Sequence, residues 1–501
     1  MRIFLANPSY KYPVNKTHER YFVRSGSRWP HSRVKRNSSP PGYLPFPFFL
    51  SYTAGLLLKD RHDVHVLDGV ALDYDDEQFI KEAQGLHPEV ILLETTTPTI
   101  EHDIYISQRL KEATCAKIIL AGPHATVYAD SIMKNSPCID YILKGEYELN
   151  CAELIKKLSN NSQIRDVSNL VYRDSDQIIT SANAIDRNKS LDILPIPARK
   201  LFPSNKFNDI NRYWDGFCQF RPAIQMQATR GCPYQCYFCL WNEVMYNTKE
   251  YRKFSTYRVI EEMEYVIKEY GAREIYFDDD DFTIDKTYVS EICHLIIKRK
   301  MDIKWSCMAD AINLDKEMLK LMGQAGCIGV KFGIESLSPK VLQMIGKPIS
   351  LEKANEIAKH CRKYKIKSHA AFAIGLLNED IDSLNETYRR IRTLNVDTMQ
   401  ISLATPFPGT RFYDLAKSKG FIQTENWRDY DGAAKQALKY PGLNGNKLTR
   451  YKINMYRYWL INRILDPAWL IRQLRYLKKL ILSQGLRVSL KQIINILLGK
   501  S

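Results

Sequence analysis

Short apolar runs separated by amphipathic stretches organise the first third of the chain. Residues 2–6, 63–67, 90–94, 117–121 and 141–144 are β-rich runs, and 104–114 repeats apolar positions at helical spacing. Buried parallel strands read as continuous apolar runs, so the pattern predicts an open, Rossmann-like α/β sheet over residues 1–150. Ligands of such sheets sit beyond the carboxyl ends of the strands. Residues 10–47 interrupt the pattern as a loop after the first strand. It is far longer than the ~2–6 residues usual there, and loops of this length tend to be functional or disordered.

Residues 151–215 read as a connector, with a hairpin formed by 170–173 and 177–180 around Asp174–Asp176 and a stiff link at Leu194-Pro195-Ile196-Pro197. A second alternation begins at Pro222. Its candidate strands are 224–228, 274–277, 303–308, 328–334, 368–374 and 399–404, with amphipathic helices at 255–270, 288–300, 351–364 and 381–394. Six parallel βα units over residues 216–432 predict a partial barrel with its chemistry at the strands' C-terminal ends. Residues 433–501 are expected to be helical and basic. Asp466-Pro467 is a helix start, and Leu470, Ile471, Leu474, Leu477 and Ile481 form one face of a helix that ends at Gly485.

A length of 501 residues exceeds one ordinary core, and 45% hydrophobic with 26% charged residues is a globular composition. The uncharged stretch 37–58 is broken by prolines in its first half, too short for the ~20 apolar residues of a spanning helix. The opening residues read as a strand stopped by Pro8, without the apolar core of a signal peptide. Eleven cysteines in such a chain read as reduced thiols or metal ligands, and the expected location is cytoplasmic. The net charge of +16 is concentrated: residues 441–501 carry +11 and residues 10–47 carry +7, leaving the remainder close to neutral. Such confinement points to an anionic partner or to the inner membrane face, with a solvated basic surface as the plain alternative.

The chemistry lies in Cys232-Pro-Tyr-Gln-Cys236-Tyr-Phe-Cys239, directly after the barrel's first strand. Three thiolates on one loop suit three irons of a [4Fe–4S] cluster and leave the fourth iron open, whereas structural zinc takes four ligands. With an aromatic residue before the last cysteine, the motif resembles that of the radical S-adenosylmethionine superfamily. The resemblance implies that Cys232, Cys236 and Cys239 hold the cluster and that its open iron chelates S-adenosylmethionine. One-electron cleavage then yields a 5′-deoxyadenosyl radical. It also implies that Phe238 lies against the adenine, that Glu335 and Ser336 in Gly333-Ile334-Glu335-Ser336 contact the cofactor, and that Gly375 belongs to the adenine segment. Where related sequences continue Pro-Gly-Glu, this chain has Leu377-Asn378-Glu379.

The N-terminal sheet and Thr405-Pro-Phe-Pro-Gly-Thr410 resemble the cobalamin-binding branch. That resemblance implies a corrin lined by Thr96, Thr97, Gly122, His124, Gly145 and Glu146, and by the Pro41-Gly42-Tyr43 segment. No Asp-x-His-x-x-Gly follows the first strand, and His65 falls inside the second, so cobalamin is expected without a histidine on cobalt. Asp279 and Asp280, within Asp278–Asp281, are candidates for the cofactor's ammonium; the alternative is a helix N-terminal cluster favoured by the macrodipole. Cys307 and Cys327 read as small core residues.

Three functions follow. The leading one is a cobalamin-dependent radical methylase acting on an unactivated carbon of a small-molecule, lipid or natural-product substrate, with flavodoxin or ferredoxin as electron donor. The second is a radical cyclase or oxidase that uses cobalamin without methyl transfer. The third is a non-catalytic iron–sulfur protein binding nucleic acid through its basic tail.

Overall fold

The computed structural model describes residues 1–484, except 38, 40, 176, 182–189, 204–211 and 434–436. The expected helix end at Gly485 and the turn residue Asp176 lie outside the described residues. Two parallel sheets dominate. The first contains β1 (Arg2–Asn7), β5 (Asp63–Asp68), β6 (Val90–Glu94), β7 (Lys117–Ala121), β8 (Tyr141–Leu143), β9 (Leu170–Asp174) and β10 (Gln177–Thr180). They stand in the order β10-β9-β8-β7-β6-β1-β5. The five strands from β5 to β8 run parallel, while β9 and β10 return antiparallel. The hairpin expected in a connector therefore completes the first sheet. Its edge pairing Tyr141↔Tyr172 extends the first unit past residue 150. Strands β1 and β6 are buried on both faces, as their unbroken apolar runs require.

The long insertion after β1 is ordered as a meander, β2 (Lys11–Asn15), β3 (His18–Val23) and β4 (His31–Arg36). Lys35 pairs with Glu19 across the meander (2.6 Å) and holds it to the first sheet's unit through Asp73 (2.8 Å). Strand order reverses between β1 and β6, the place where open sheets leave a crevice. Arg24 fills part of it: its buried guanidinium donates to the carbonyls of Pro8 and Glu94 and pairs with Asp103 at 2.6 Å.

The second sheet contains β11 (Ala223–Met226), β14 (Glu274–Phe277), β15 (Lys304–Ala309), β16 (Cys327–Glu335), β17 (Lys367–Ile374) and β18 (Thr398–Leu403), all parallel and in chain order. These are the six strands the apolar pattern predicts, and β11 and β18 do not pair, so the barrel is partial. A short ribbon of β12 (Thr229–Arg230) and β13 (Arg252–Lys253) flanks the cysteine loop. Residues 213–222 close the barrel's N-terminal end: Gln219 and Phe220 donate their amides to Glu274, and Lys367 donates to the Phe217 carbonyl. Two helices, Gly445–Ile464 and Pro467–Gln484, follow the barrel, the second capped by Asp466, which accepts from the amides of Ala468 and Trp469.

Candidate active site at the junction of two sheets

The cysteine loop leaves β12 through Gly231, whose φ is +86°. A Cβ there would lie 2.0 Å from the Glu250 carbonyl oxygen, so the chain passes only as glycine. The acidic run after β14 braces this turn. Asp279 accepts from the amides of Ala228 (2.8 Å) and Thr229 (2.6 Å), and Asp280 from that of Gly231 (2.9 Å). Burial pushes the Asp279 carboxyl up to about 7. The next helix begins only at Lys286 and is capped by Asp285, so the run is not a helix N-terminal cluster. Downstream, Asn242 donates to the Cys232 carbonyl (2.8 Å), and the Leu377 amide donates to the Tyr237 hydroxyl (3.0 Å). That last bond ties the cysteine loop to the segment after β17.

Cys232, Cys236 and Cys239 are free thiols, partly exposed on this loop. Burial first, and then neighbouring acids and thiols, push Cys239 up to about 12 and raise Cys232 above the usual thiol range. Cys236 is pushed up to about 11, mainly by burial, against the lowering influence of Lys347. Such thiols keep their protons until a metal takes up the charge. Among the described residues no three His, Cys, Asp or Glu side chains converge as ligands of a single metal ion.

The other expected cofactor residues separate into those that face the loop and those engaged elsewhere. Glu335, at the end of β16 with φ +66°, pairs with buried Lys347 at 3.0 Å, and Lys347 also meets Asp310 at 3.1 Å. Gly333 makes room for that pair, since a Cβ there would lie 2.3 Å from the Glu335 carboxylate. Phe238 is covered edge-on by Trp29 of the meander, ring centroids 6.5 Å apart. Gly375 donates its amide to Glu379, which is buried, and its carbonyl accepts from Tyr440 (2.9 Å). Ser336 is turned into the core, its hydroxyl bonded to Thr387 at 3.1 Å.

On the first sheet, the loops after β6, β7 and β8 lie together. The Thr95 amide donates to the Ala121 carbonyl (2.8 Å), and Gly122 has φ +102° with Thr95 O only 2.3 Å from where a Cβ would stand. Thr96 and Thr97 are buried in the turn after β6, and His124 is buried beside them, Nδ1 3.3 Å from the Thr97 hydroxyl. Burial pushes this imidazole down to about 3. The Gly145 amide donates to Thr126 (2.9 Å), and the same glycine's Cβ position lies 3.0 Å from the Met245 carbonyl, so this edge abuts the cysteine loop's own helix. His65 is within β5, opposite Phe4, as expected.

Two of the expected residues are engaged by the protein itself. Both oxygens of Glu146 are taken by Arg230 (2.9 Å) and Arg252 (2.7 Å), with Glu148 completing the pair around Arg230 at 2.6 Å. Glu146 thereby joins the two sheets. One oxygen of Asp279 is similarly committed to backbone amides, which gives it a bracing place in the loop. Sequence reasoning missed Arg28, whose guanidinium reaches Asp278 by a hydrogen bond and Asp280 at 3.8 Å, along with Trp29 and Lys347. Their only signal was the length and charge of the 10–47 insertion, and none for Lys347.

Below the loop, β16, β17 and β18 alternate: one set of residues is buried and the other half-open. Lys331, Gly333 and Glu335, then His369 and Ala371, then Thr398, Gln400 and Ser402 face a polar lumen. Lys331 pairs with Asp215 of the plug (2.9 Å), and His369 bonds Thr398 (2.9 Å). Above them the Tyr43 ring lies under Arg33 (4.2 Å); burial first, and then Asp215 and Asp278, raise its phenol.

Residues 226–410 match the model of the radical SAM superfamily and residues 41–155 that of the B12 binding domain. A protein of Pyrococcus horikoshii described as the uncharacterized methyltransferase PH0819 is 31% identical over 390 residues, 77% of this chain and 81% of its own. The anaerobic magnesium-protoporphyrin IX monomethyl ester cyclase of Cereibacter sphaeroides is 25% identical over 440 residues, 84% of this chain and 68% of its own. Among solved structures, the radical S-adenosylmethionine methyltransferase TsrM from Kitasatospora setae, with cobalamin and a [4Fe–4S] cluster bound, superposes with a TM-score of 0.64 at 17% identity, covering 84% of this chain and 79% of that one.

The chain belongs to the radical SAM superfamily, in the branch that also carries a B12-binding domain. It is a cobalamin-dependent radical SAM enzyme whose cofactors are S-adenosylmethionine, a [4Fe–4S] cluster and cobalamin. The non-catalytic reading is thereby overturned. The residues present fit these groups. Three free thiols share one loop, and buried oxygens of Gln227, Asp279 and Glu379 in the segments around it have no partner among the described residues. At the first sheet's strand ends Gly122 and Gly145 have positive φ and pass close to the Thr95 and Met245 carbonyls.

Proposed function

We propose that the protein is a methylase that transfers a methyl group to an unactivated carbon of an amphiphilic or natural-product substrate. The observation that carries this reading is the half-open polar lumen of β16–β18, which ends at the cysteine loop and meets the strand-end loops of the first sheet. When bound, the cofactors supply a hydrogen-abstracting radical and a methyl donor, the combination that an unactivated carbon requires. Cys232, Cys236 and Cys239 would hold the cluster. Phe238, Asp280, Glu335 and Gly375 would flank S-adenosylmethionine, while Thr96, Thr97, Gly122, His124 and Gly145 would border the corrin. Lys347 orients Glu335, and the 213–222 plug shuts the lumen against water from below. Lys331, His369, Gln400 and Tyr43 offer a substrate both charged and apolar contacts. A flavodoxin or ferredoxin would supply the electron.

Similarity to the cyclase of Cereibacter sphaeroides favours a second reading, oxidation or ring closure without methyl transfer. Product accounting separates the two. The reconstituted enzyme, reduced anaerobically with candidate substrates, should form both S-adenosylhomocysteine and 5′-deoxyadenosine, the former only when cobalamin is present. Turnover of a substrate to an unmethylated product, with 5′-deoxyadenosine and no S-adenosylhomocysteine, would assign the cyclase or oxidase reading instead.

A further inference from the structure

The apolar stripe Leu470, Leu474, Leu477 and Ile481 of the second helix was expected to lie on an anionic membrane, or else to pack on the barrel with the charges facing water. The packed face is instead the aromatic and basic one. Trp469 donates its indole N–H to the Asp397 carbonyl (3.0 Å), Arg472 pairs with the buried Asp397 carboxylate (2.8 Å), and Lys479 reaches the Gln219 side chain (3.3 Å). Trp459, on the preceding helix, donates to the Leu394 carbonyl (3.0 Å) and meets Trp469 edge-on at 6.2 Å.

What faces outward is therefore aliphatic. On the helix Pro467–Gln484, Leu474 is 62% and Leu482 75% exposed, with Leu470 and Ile471 also exposed on that side. On the helix Gly445–Ile464, positions 450, 453, 457, 461 and 464 share one face by their spacing, and Ile461 is 59% exposed. Leu465, between the helices, is 76% exposed. Arg450, Arg457, Arg475 and Lys478 lie exposed within or beside these rows. The sole carboxylate between residues 445 and 484 is Asp466, which caps the second helix. A run of exposed Ile and Leu on this scale marks an interaction surface.

We propose that these two outward faces form a docking surface for an anionic lipid membrane, with both helices lying in the interface. Three observations select that occupant. Apolar side chains among cations, with no nearby acid on the helices, match the acyl and headgroup layers of an anionic leaflet. A second copy of the chain would set one basic face against another. Nucleic acid would need stacking rings, yet Trp459, Trp469 and Tyr456 are turned into the protein. No helix among the described residues is long and apolar enough to cross a membrane, so the contact is peripheral. The inference is independent of the reaction catalysed.

Co-sedimentation of the full-length protein with phosphatidylglycerol/phosphatidylcholine vesicles, against phosphatidylcholine alone, tests it. Binding is expected to the anionic vesicles and to fall steeply with salt. The double variant Ile471→Asp/Leu474→Asp should lower it at least ten-fold. Arg475→Gln/Lys478→Gln should lower it about five-fold per charge. All four positions are exposed, so unchanged thermal midpoints exclude misfolding. Three results would overturn the proposal. The first is no binding to either vesicle, or binding that the Asp pair leaves intact. The second is a concentration-dependent dimer undone by that pair, which assigns the face to a second copy. The third is hydrogen-exchange protection of residues 470–482 together with 485–501 in vesicle-free protein, which assigns it to the chain's own last residues.

Discussion

Glu379 stands where related sequences place the glutamate of Pro-Gly-Glu, and it keeps that place although the two residues before it differ. Its carboxylate accepts from the Gly375 amide, one oxygen has no partner among the described residues, and burial pushes it up to about 8. Between pH ~4.5 and 8 the unfolded chain has released this proton while the folded chain retains it, so the group's contribution to stability falls as pH rises through that window. Glu379→Gln removes the contribution. In cofactor-free protein the variant's thermal midpoint should gain on the wild type from pH 5 to pH 8, by a few degrees for a shift on the order of 3 kcal/mol. A gap that stays constant with pH would show that Glu379 is ionised throughout. At this scale the cysteines were legible because their spacing is itself the signal. Trp29 and Lys347 were not, because contacts made across hundreds of residues leave no local pattern.

The β12–β13 ribbon shows how an element of two residues per strand couples two sheets. Arg230 is fully buried between Glu146 and Glu148, its guanidinium 4.7 Å from the Phe49 ring. Removing it leaves two buried carboxylates short of a partner, a loss of about 3–5 kcal/mol. Arg230→Ala should therefore lower the unfolding temperature markedly. By contrast Arg165→Ala, which breaks a pair exposed at both ends, should leave the unfolding temperature nearly unchanged. Equal effects would contradict a load carried at the junction. The barrel strands were readable to within a few residues because each is a buried apolar run. The meander β2–β4 was not, since its polar, basic strands lack that signature, and Pro13 within β2 reads as a breaker. The hairpin β9–β10 was found, but sequence alone does not say to which sheet an edge hairpin adds.

Over the whole molecule, the two regions of concentrated charge have different fates. The N-terminal one is largely folded inward: Arg24, Arg28 and Lys35 each meet carboxylates of the first sheet or the barrel, and so help hold the two together. The C-terminal one divides, Arg472 pairing with Asp397 while Arg475 and Lys478 stay outside. Net charge showed that both segments matter but not which of their faces would be covered, because helical spacing is symmetric between a packed and an exposed stripe. In this enzyme the cysteine loop and the first sheet's strand ends serve one reaction while binding separate groups. The most direct measurement compares the chain, reconstituted anaerobically with iron, sulfide and cobalamin, with its Cys232→Ala/Cys236→Ala/Cys239→Ala variant. The wild type should show cluster and corrin absorbance together and release 5′-deoxyadenosine under reduction. The variant should keep the corrin absorbance and lose both the cluster and the cleavage; continued cleavage of S-adenosylmethionine by the triple variant would contradict the account.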